Sequence, residues 1–272
     1  MKLAVWALLF PLIFFVPVQA AMSHADITKP SPTRPSKFLK IAVADNWPPF
    51  IYLDENNRLA GQDFELLESI LIELGYGLRL VSNVSDNRRF YALGLSLHEV
   101  VVGAYINEER QKVSRFSLPY RSEKMGLFYT NPALFQAEKL DFEEEFDLKP
   151  LVGTMNLAAW AGEAFEEVKR DYPDNIMHIE SQYSRLKMLA LGRVDFTIGD
   201  TVSIKLHAEK MGIENFTLHP DILFEADIHF AFSKDAVDDE FINRFNAVLQ
   251  RKLAEKAALL KDMHLERENE PE

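Results

Sequence analysis

Short apolar runs alternate with longer amphipathic stretches along this chain. Phe38–Ala44 (FLKIAVA), Gly77–Ser82 (GLRLVS) and Val100–Val102 read as buried strands. Between the first two, Phe64, Leu67, Leu71 and Leu74 recur at helical spacing, which predicts a helix over Gly61–Gly75 that Gly75 and Gly77 end. Asp63, near its start, is accounted for by the helix dipole. The pattern continues with strands at Met125–Tyr129, Leu148–Thr154, Ile176–Ile179 and Asp221–Ser233. Helices are expected at Asn156–Arg170 (Trp160, Phe165 and Val168 buried), Tyr183–Leu191 (Leu186, Leu189 and Ala190 inward) and Val237–Lys261 (Phe241, Phe245 and Val248 on one face). Asn83–Leu97 has no clear period, and its Arg88 and Arg89 read as part of a solvated turn. Strands alternating with helices define an α/β class.

Composition narrows the function. The chain has 272 residues, 47% hydrophobic, enough for one large domain or two lobes. A net charge of −12 argues against nucleic acid and anionic membrane surfaces as partners. There is no cysteine, so disulfides, thiolate metal sites, a cysteine nucleophile and a cysteine-linked lipid anchor are excluded. Met1–Ala20 carries Lys2, an apolar run broken by Pro11 and Pro17, and the small-residue ending Val18-Gln-Ala20. It reads as a cleavable signal peptide, with export to the periplasm as the consequence. Ala21–Lys37, with its KPSPTRPSK tract, reads as a disordered leader, and His264–Glu272 as a flexible tail. The acidic run Asp141–Asp147 (DFEEEFD) reads as an exposed face. The histidines lack zinc-motif spacing, and no nucleophile-elbow, Walker or dinucleotide glycine pattern occurs, so no metal, cofactor or catalytic residue is expected.

Three positions carry candidate chemistry. In Asp45–Phe50 (DNWPPF) two prolines forbid a strand or helix interior, so Trp47 sits on a loop at a strand end. There it either plugs the core or faces a ligand. Arg110, just past the Val100–Val102 strand, offers a planar fork of donors suited to a carboxylate at a sheet edge. Asp200 ends an apolar strand and either caps the helix Thr201–Lys210 or faces a ligand.

Asn107–Tyr120 (NEERQKVSRFSLPY) resembles the signature T-x-x-R-x-x-x-x-x-F-S-x-P-Y of bacterial periplasmic solute-binding proteins of the amino-acid type, family 3. Asn107 stands at the Thr position, and Arg110, Phe116, Ser117, Pro119 and Tyr120 fit. Trp47–Phe50 is similar to that family's Tyr-Pro-Pro-Phe loop, and Gly192–Asp200 (GRVDFTIGD) to its Gly-x-x-Asp turn with a second Asp at a strand end. The resemblance implies a two-lobed type II periplasmic binding protein, each lobe a mixed sheet flanked by helices. Lobe one would comprise 38–128 plus 231–263, and lobe two 129–230. Two crossing strands would form the hinge, with the ligand between the lobes. It implies a site of Trp47, Tyr105, Asn107, Arg110, Ala158 and Asp200. Trp47 would stack on the ligand, Arg110 would hold a carboxylate and Asp200 an ammonium. Leu157 and Ala158 replace the family's carboxylate-binding Gly-Thr, with backbone NH groups at a helix start left to serve. Tyr105 replaces a small hydroxyl residue, which narrows the expected range of ligands.

The implied function is binding of a small polar solute, an amino acid or related carboxylate, for an ABC-type importer, without catalysis. The partners would be that small molecule and an inner-membrane permease, and the protein would be a monomer. A ligand sensor for a signalling partner and a cyclic-acid dehydratase of the same fold are the alternatives; the general acid the latter needs is not located by the sequence.

Overall fold

The computed structural model describes residues 35, 37–43, 47–85, 88–135 and 151–268, with backbone alone at 82–83 and 263–268. The expected signal peptide, nearly all of the leader and the acidic run at 141–147 lie outside the described residues.

In chain order the first lobe comprises β1 (Lys37–Val43), the small hairpin β2 (Tyr52–Leu53) and β3 (Leu59–Ala60), α1 (Gln62–Glu73), β4 (Tyr76–Asn83), α2 (Arg89–Gly94), β5 (Val100–Ala104), α3 (Glu108–Val113) and β6 (Ser114–Phe116). The strand β7 (Arg121–Tyr129) then crosses to the second lobe. That lobe holds β8 (Gly153–Met155), α4 (Glu163–Asp171), β9 (Ile176–His178), α5 (Gln182–Ala190), β10 (Phe196–Asp200) and α6 (Thr201–Lys210). The long strand β11 (Thr217–Ser233) returns, and α7 (Asp239–Glu268) closes the first lobe.

The strands pair along one path, β4-β1-β5-β11-β7-β10-β8-β9, with β6 on β11. β1 runs parallel to β4 and β5, and β10 and β9 run parallel to β8. Parallel neighbours need crossover connections, which α1, α4 and α5 supply. The crossing strands β7 and β11 are antiparallel from Arg121↔Ile228 to Tyr129↔Thr217.

Each lobe has one large core and a smaller apolar cluster beside it. Ile41, Leu67, Leu71 and Val100 pack with Phe230, Phe232 and Phe245 in the first. Met125, Leu127, Met155, Phe165, Phe196 and Ile198 pack in the second. The exchange of cores therefore falls at Met125 on β7 and at Ile228 on β11, earlier in each strand than the boundaries expected at Tyr129 and Ala231.

Two element expectations need correction. The helix expected from Asn156 begins at Glu163. Gly162 precedes it with φ +96°, and a Cβ there would lie 2.9 Å from the Leu223 carbonyl oxygen, so the chain turns sharply before the helix starts. At the other end α7 continues past His264 to Glu268, where a tail was expected. Neither Gly nor Pro interrupts it before Pro271. Asn83–Leu97, which lacked a period, contains the short helix α2.

Candidate functional site

A cavity of about 120 Å³ lies where the two lobes face each other across the crossing strands. The first lobe contributes Trp47, Arg89, Gly103 and Tyr105 to its wall. The second contributes Ala158, Trp160, Gln182, Arg185 and Asp200. Glu123 and Met125 of β7, and Phe224, Ala226 and Ile228 of β11, supply the hinge side. Both hinge sets follow the period of two by which alternate strand residues share a face.

The lobes touch around this cavity. The Ser203 hydroxyl, near the start of α6, donates to the Pro48 carbonyl of the first lobe at 2.7 Å. The Tyr105 ring lies 6.0 Å from Trp160 and 6.3 Å from Phe224, centre to centre. Beyond these three rings a shallower groove opens, lined also by Asn107, Glu225, Asp227 and His229.

Trp47 is seated by a glycine. Gly103 has φ +74°, and a Cβ on it would meet the Trp47 ring at 2.4 Å. The indole therefore lies directly over the end of β5, with Phe50 edge-on at 5.0 Å. Its backbone is fixed by a tight turn in which the Phe50 and Ile51 NH groups donate to the Trp47 carbonyl.

Behind Trp47 sits a buried polar group of three. The Tyr120 hydroxyl donates to Asp63 Oδ2 at 2.7 Å, and Arg121 Nε donates to the same oxygen at 3.0 Å. The Arg121 guanidinium lies 3.8 Å from the centre of the Phe50 ring and 4.9 Å from that of Trp47. Burial raises the Asp63 pKa against the opposing Arg121 charge. Burial alone would lower that of Arg121, but the charges of Asp63, Tyr120 and Glu123 together with the Asp63 hydrogen bond outweigh it, so the net shift is upward and the guanidinium stays ionised. Asp63 is thus a tertiary anchor as well as a first-turn acid, a role that the dipole reading missed.

Two carboxylates face the cavity. Asp200 Oδ1 accepts from the Ser203 NH at 2.7 Å, so Asp200 caps α6 and lines the cavity at once. Burial raises its pKa, and the Ser203 NH pulls the other way. Glu123 accepts no hydrogen bond among the described residues; its one ion pair is with Arg121 Nη1 at 3.5 Å. Burial, with the Asp200 charge adding to it, pushes the Glu123 pKa up to about 7.

Of the six residues expected at the site, Trp47, Tyr105, Ala158 and Asp200 line this cavity together. Asn107 sits at the outer groove, where its Oδ1 accepts from the Arg110 NH at 2.8 Å and caps α3. Arg110 is not on the cavity wall. Its Nη1 donates to the Tyr105 carbonyl at 3.0 Å, and its guanidinium lies 3.8 Å from the Tyr105 ring centre and 4.4 Å from that of Phe90. Nor does a helix start present the Ala158 NH, which donates to Asn156 Oδ1 at 2.8 Å.

Sequence reasoning missed Arg89, Glu123 and Arg185. Arg89, read as part of a solvated turn, lines the cavity and donates to the carbonyls of Val102 and Gly103. Arg185 reaches the carbonyls of Ile179 and Glu180 from α5. Glu123 had a usable signal, because Arg121, Glu123 and Met125 alternate along β7. Among the described residues no group of three or more His, Cys, Asp or Glu could hold a metal ion, and no helix is long and apolar enough to cross a membrane.

The chain is similar to a probable amino-acid-binding protein, YxeM, of Bacillus subtilis, with 24% identity over 220 residues, 76% of this chain and 79% of the relative. It is similar to a putative ABC transporter arginine-binding protein 2 of Escherichia coli, with 27% identity over 174 residues, 61% and 64% of the two chains. In fold it resembles a histidine kinase sensor domain with similarity to periplasmic binding proteins, at a TM-score of 0.67 and 19% identity, covering 83% of this chain and 95% of that one. The family model for bacterial extracellular solute-binding proteins, family 3, matches residues 39–261. With that match spanning most of its length, the chain belongs to the bacterial extracellular solute-binding proteins of family 3.

Proposed function

We propose that this solute-binding protein captures a small amino-acid-type solute between its lobes and delivers it to an ABC-type importer. The observation that carries the reading is the wall of the central cavity. Arg89 comes to it from the first lobe, Arg185 and Asp200 from the second and Glu123 from the hinge, with aromatic faces from all three, and Ser203 bonds to Pro48 between the lobes. A zwitterion needs such a mixed wall, whereas an apolar or purely anionic solute would leave buried charges unpaired. Trp47 would cover the apolar part of the ligand, and Asp200 would take its ammonium. Amino-acid binding is also supported by the names of both curated relatives, and delivery to a transporter by that of the E. coli one. The apolar segment before Ala21 and the extracellular character of the family support export. The protein acts as a monomer and performs no catalysis in this reading.

A thermal-shift screen of the common amino acids, their amides and simple derivatives tests it. At a ligand concentration one hundred times Kd, stabilisation is about 2.7 kcal/mol, or roughly 5–11 °C for a chain of this size. One or more amino acids should reach that range. If none shifts the melt at millimolar concentration, the reading fails.

A further inference from the structure

Glu123 is the feature of the cavity that a simple zwitterion does not require. One carboxylate, Asp200, suffices for an α-ammonium, yet a second lies beside it. Asp200 is partly committed, with one oxygen on the Ser203 NH. Glu123 carries no hydrogen bond among the described residues, its side chain is 17% exposed, and Arg121 is 3.5 Å away with its Nε bound to Asp63. The half-buried Glu123 carboxylate, with one long ion pair to Arg121, therefore keeps hydrogen-bond acceptor capacity that a ligand cation in the cavity can use. On the opposite account, Arg89 and Arg185 bring two positive charges to the same wall. The second carboxylate on the wall, beyond the one an α-ammonium needs, gives a side-chain cation a partner that a neutral amino acid would leave unused. The cavity is small, about 120 Å³, and so favours a compact solute.

Resting on the amino-acid reading above, we propose that Glu123 is a specificity-determining contact and that the solute is a compact amino acid with a cationic side chain. Its α-ammonium and side-chain cation divide between Asp200 and Glu123, while the arginine side of the wall takes the carboxylate. The groups facing Glu123 are Asp200 from the second lobe, Arg121 on its own strand, Arg89 from α2 and Asp63 from α1. Burial beside Asp200 pushes the Glu123 pKa up to about 7, so the carboxyl carries part of a proton near neutral pH. A cation arriving beside it expels the proton, so binding is coupled to proton release and tightens from pH 6 to pH 8.

The test is calorimetry on the full chain with L-ornithine, L-lysine and L-arginine set against the neutral L-citrulline and L-glutamine. The wild type should prefer at least one cationic amino acid. Glu123→Gln should weaken that ligand about thirtyfold or more and reduce its preference over the neutral amino acids at least tenfold. Glu123→Asp, which keeps the charge, should retain part of the preference. Wild-type binding at pH 7 in two buffers of different ionisation enthalpy should release a fraction of a proton, and Glu123→Gln should abolish the release. Melting curves without ligand check that both variants fold. Tight binding of a neutral or acidic amino acid in preference to every cationic one would overturn this inference and leave the amino-acid reading standing. So would a cationic preference unchanged in Glu123→Gln. Binding of no amino acid of any kind would overturn both.

Discussion

Replacing Asp63 by Ala should be among the most damaging single changes in the first lobe, although Asp63 does not line the cavity. Its side chain is 4% exposed and accepts from the Tyr120 hydroxyl at 2.7 Å and from Arg121 Nε at 3.0 Å. The truncation removes both bonds and leaves a buried guanidinium with only the long ion pair to Glu123 at 3.5 Å and no hydrogen-bond acceptor for Nη1 or Nη2. Hydrogen bonds to a charged group contribute about 1.5–3 kcal/mol each. Breaking one partner out of a buried pair costs about 3–5 kcal/mol, and the second figure governs because the two effects overlap. A helix-dipole role alone would cost about 0.3–1 kcal/mol. Urea unfolding of wild type and Asp63→Ala separates the two accounts, and the melting temperature should fall by roughly 6–20 °C. Arg121→Met and the double variant complete a cycle. Because Arg121→Met removes the stranded charge, the double variant should be less destabilised than the sum of the singles by about 1–3 kcal/mol. A loss below about 1 kcal/mol for Asp63→Ala, or additive singles, would refute the argument.

Three further outcomes follow from the same geometry. Gly103→Ala forces a Cβ to 2.4 Å from the Trp47 ring at φ +74°; it should destabilise the protein by about 2–4 kcal/mol and displace the indole, visible as altered tryptophan fluorescence and weaker ligand binding, whereas an unchanged melt and affinity would contradict this seating of Trp47. Glu123 has its pKa raised from 4.5 to about 7 on folding, so the folded chain binds the extra proton; the resulting stability is full below pH 4.5 and lost as pH climbs through about 7, on the order of 3 kcal/mol in all, and ligand-free Glu123→Gln should show a correspondingly flatter stability–pH curve. Asp200→Ala should lose about 1 kcal/mol through the cap on α6 and also lose ligand-induced stabilisation; a stability loss with binding intact would leave Asp200 as a cap alone.

Much of the fold was legible because each lobe is built from short buried strands and amphipathic helices, and both announce themselves by period. Val100–Ala104 is buried at every position, and α1 buries Phe64, Leu67 and Leu71 on the face their spacing predicts. What the sequence concealed depends on neighbours distant along the chain. Gly162 turns the chain before α4 because the Leu223 carbonyl crosses it, a contact between residues sixty-one positions apart. Glu123 was hidden for a different reason. The strand was taken to start at its apolar half, Met125, whereas the first four residues of β7, Arg121–Lys124, are polar because they cross the hinge. A period-two reading carried back through them puts Glu123 on the face of Met125. Arg89 and Arg185 had no comparable signal, since an arginine on a short helix carries no mark of what it faces.

Tyr105 links several of the departures from the clamp read in the sequence. Its carbonyl and its ring both engage Arg110, which is drawn onto Tyr105 and Phe90 instead of standing on the cavity wall. The same ring reaches across to Trp160 and Phe224 in the second lobe. A small hydroxyl residue at this position would offer Arg110 no ring and would leave the two second-lobe rings without a first-lobe partner. Tyr105 therefore holds Arg110 off the cavity wall and adds an aromatic contact between the lobes. The cations left on the wall are Arg89 and Arg185, one from each lobe, and the carboxylates are Asp200 and the hinge residue Glu123. Under the proposal above, a ligand that bridges Glu123 to either lobe contacts β7 itself, one of the two strands that join the lobes. Under that proposal, capture and closure would be coupled through a residue of a crossing strand.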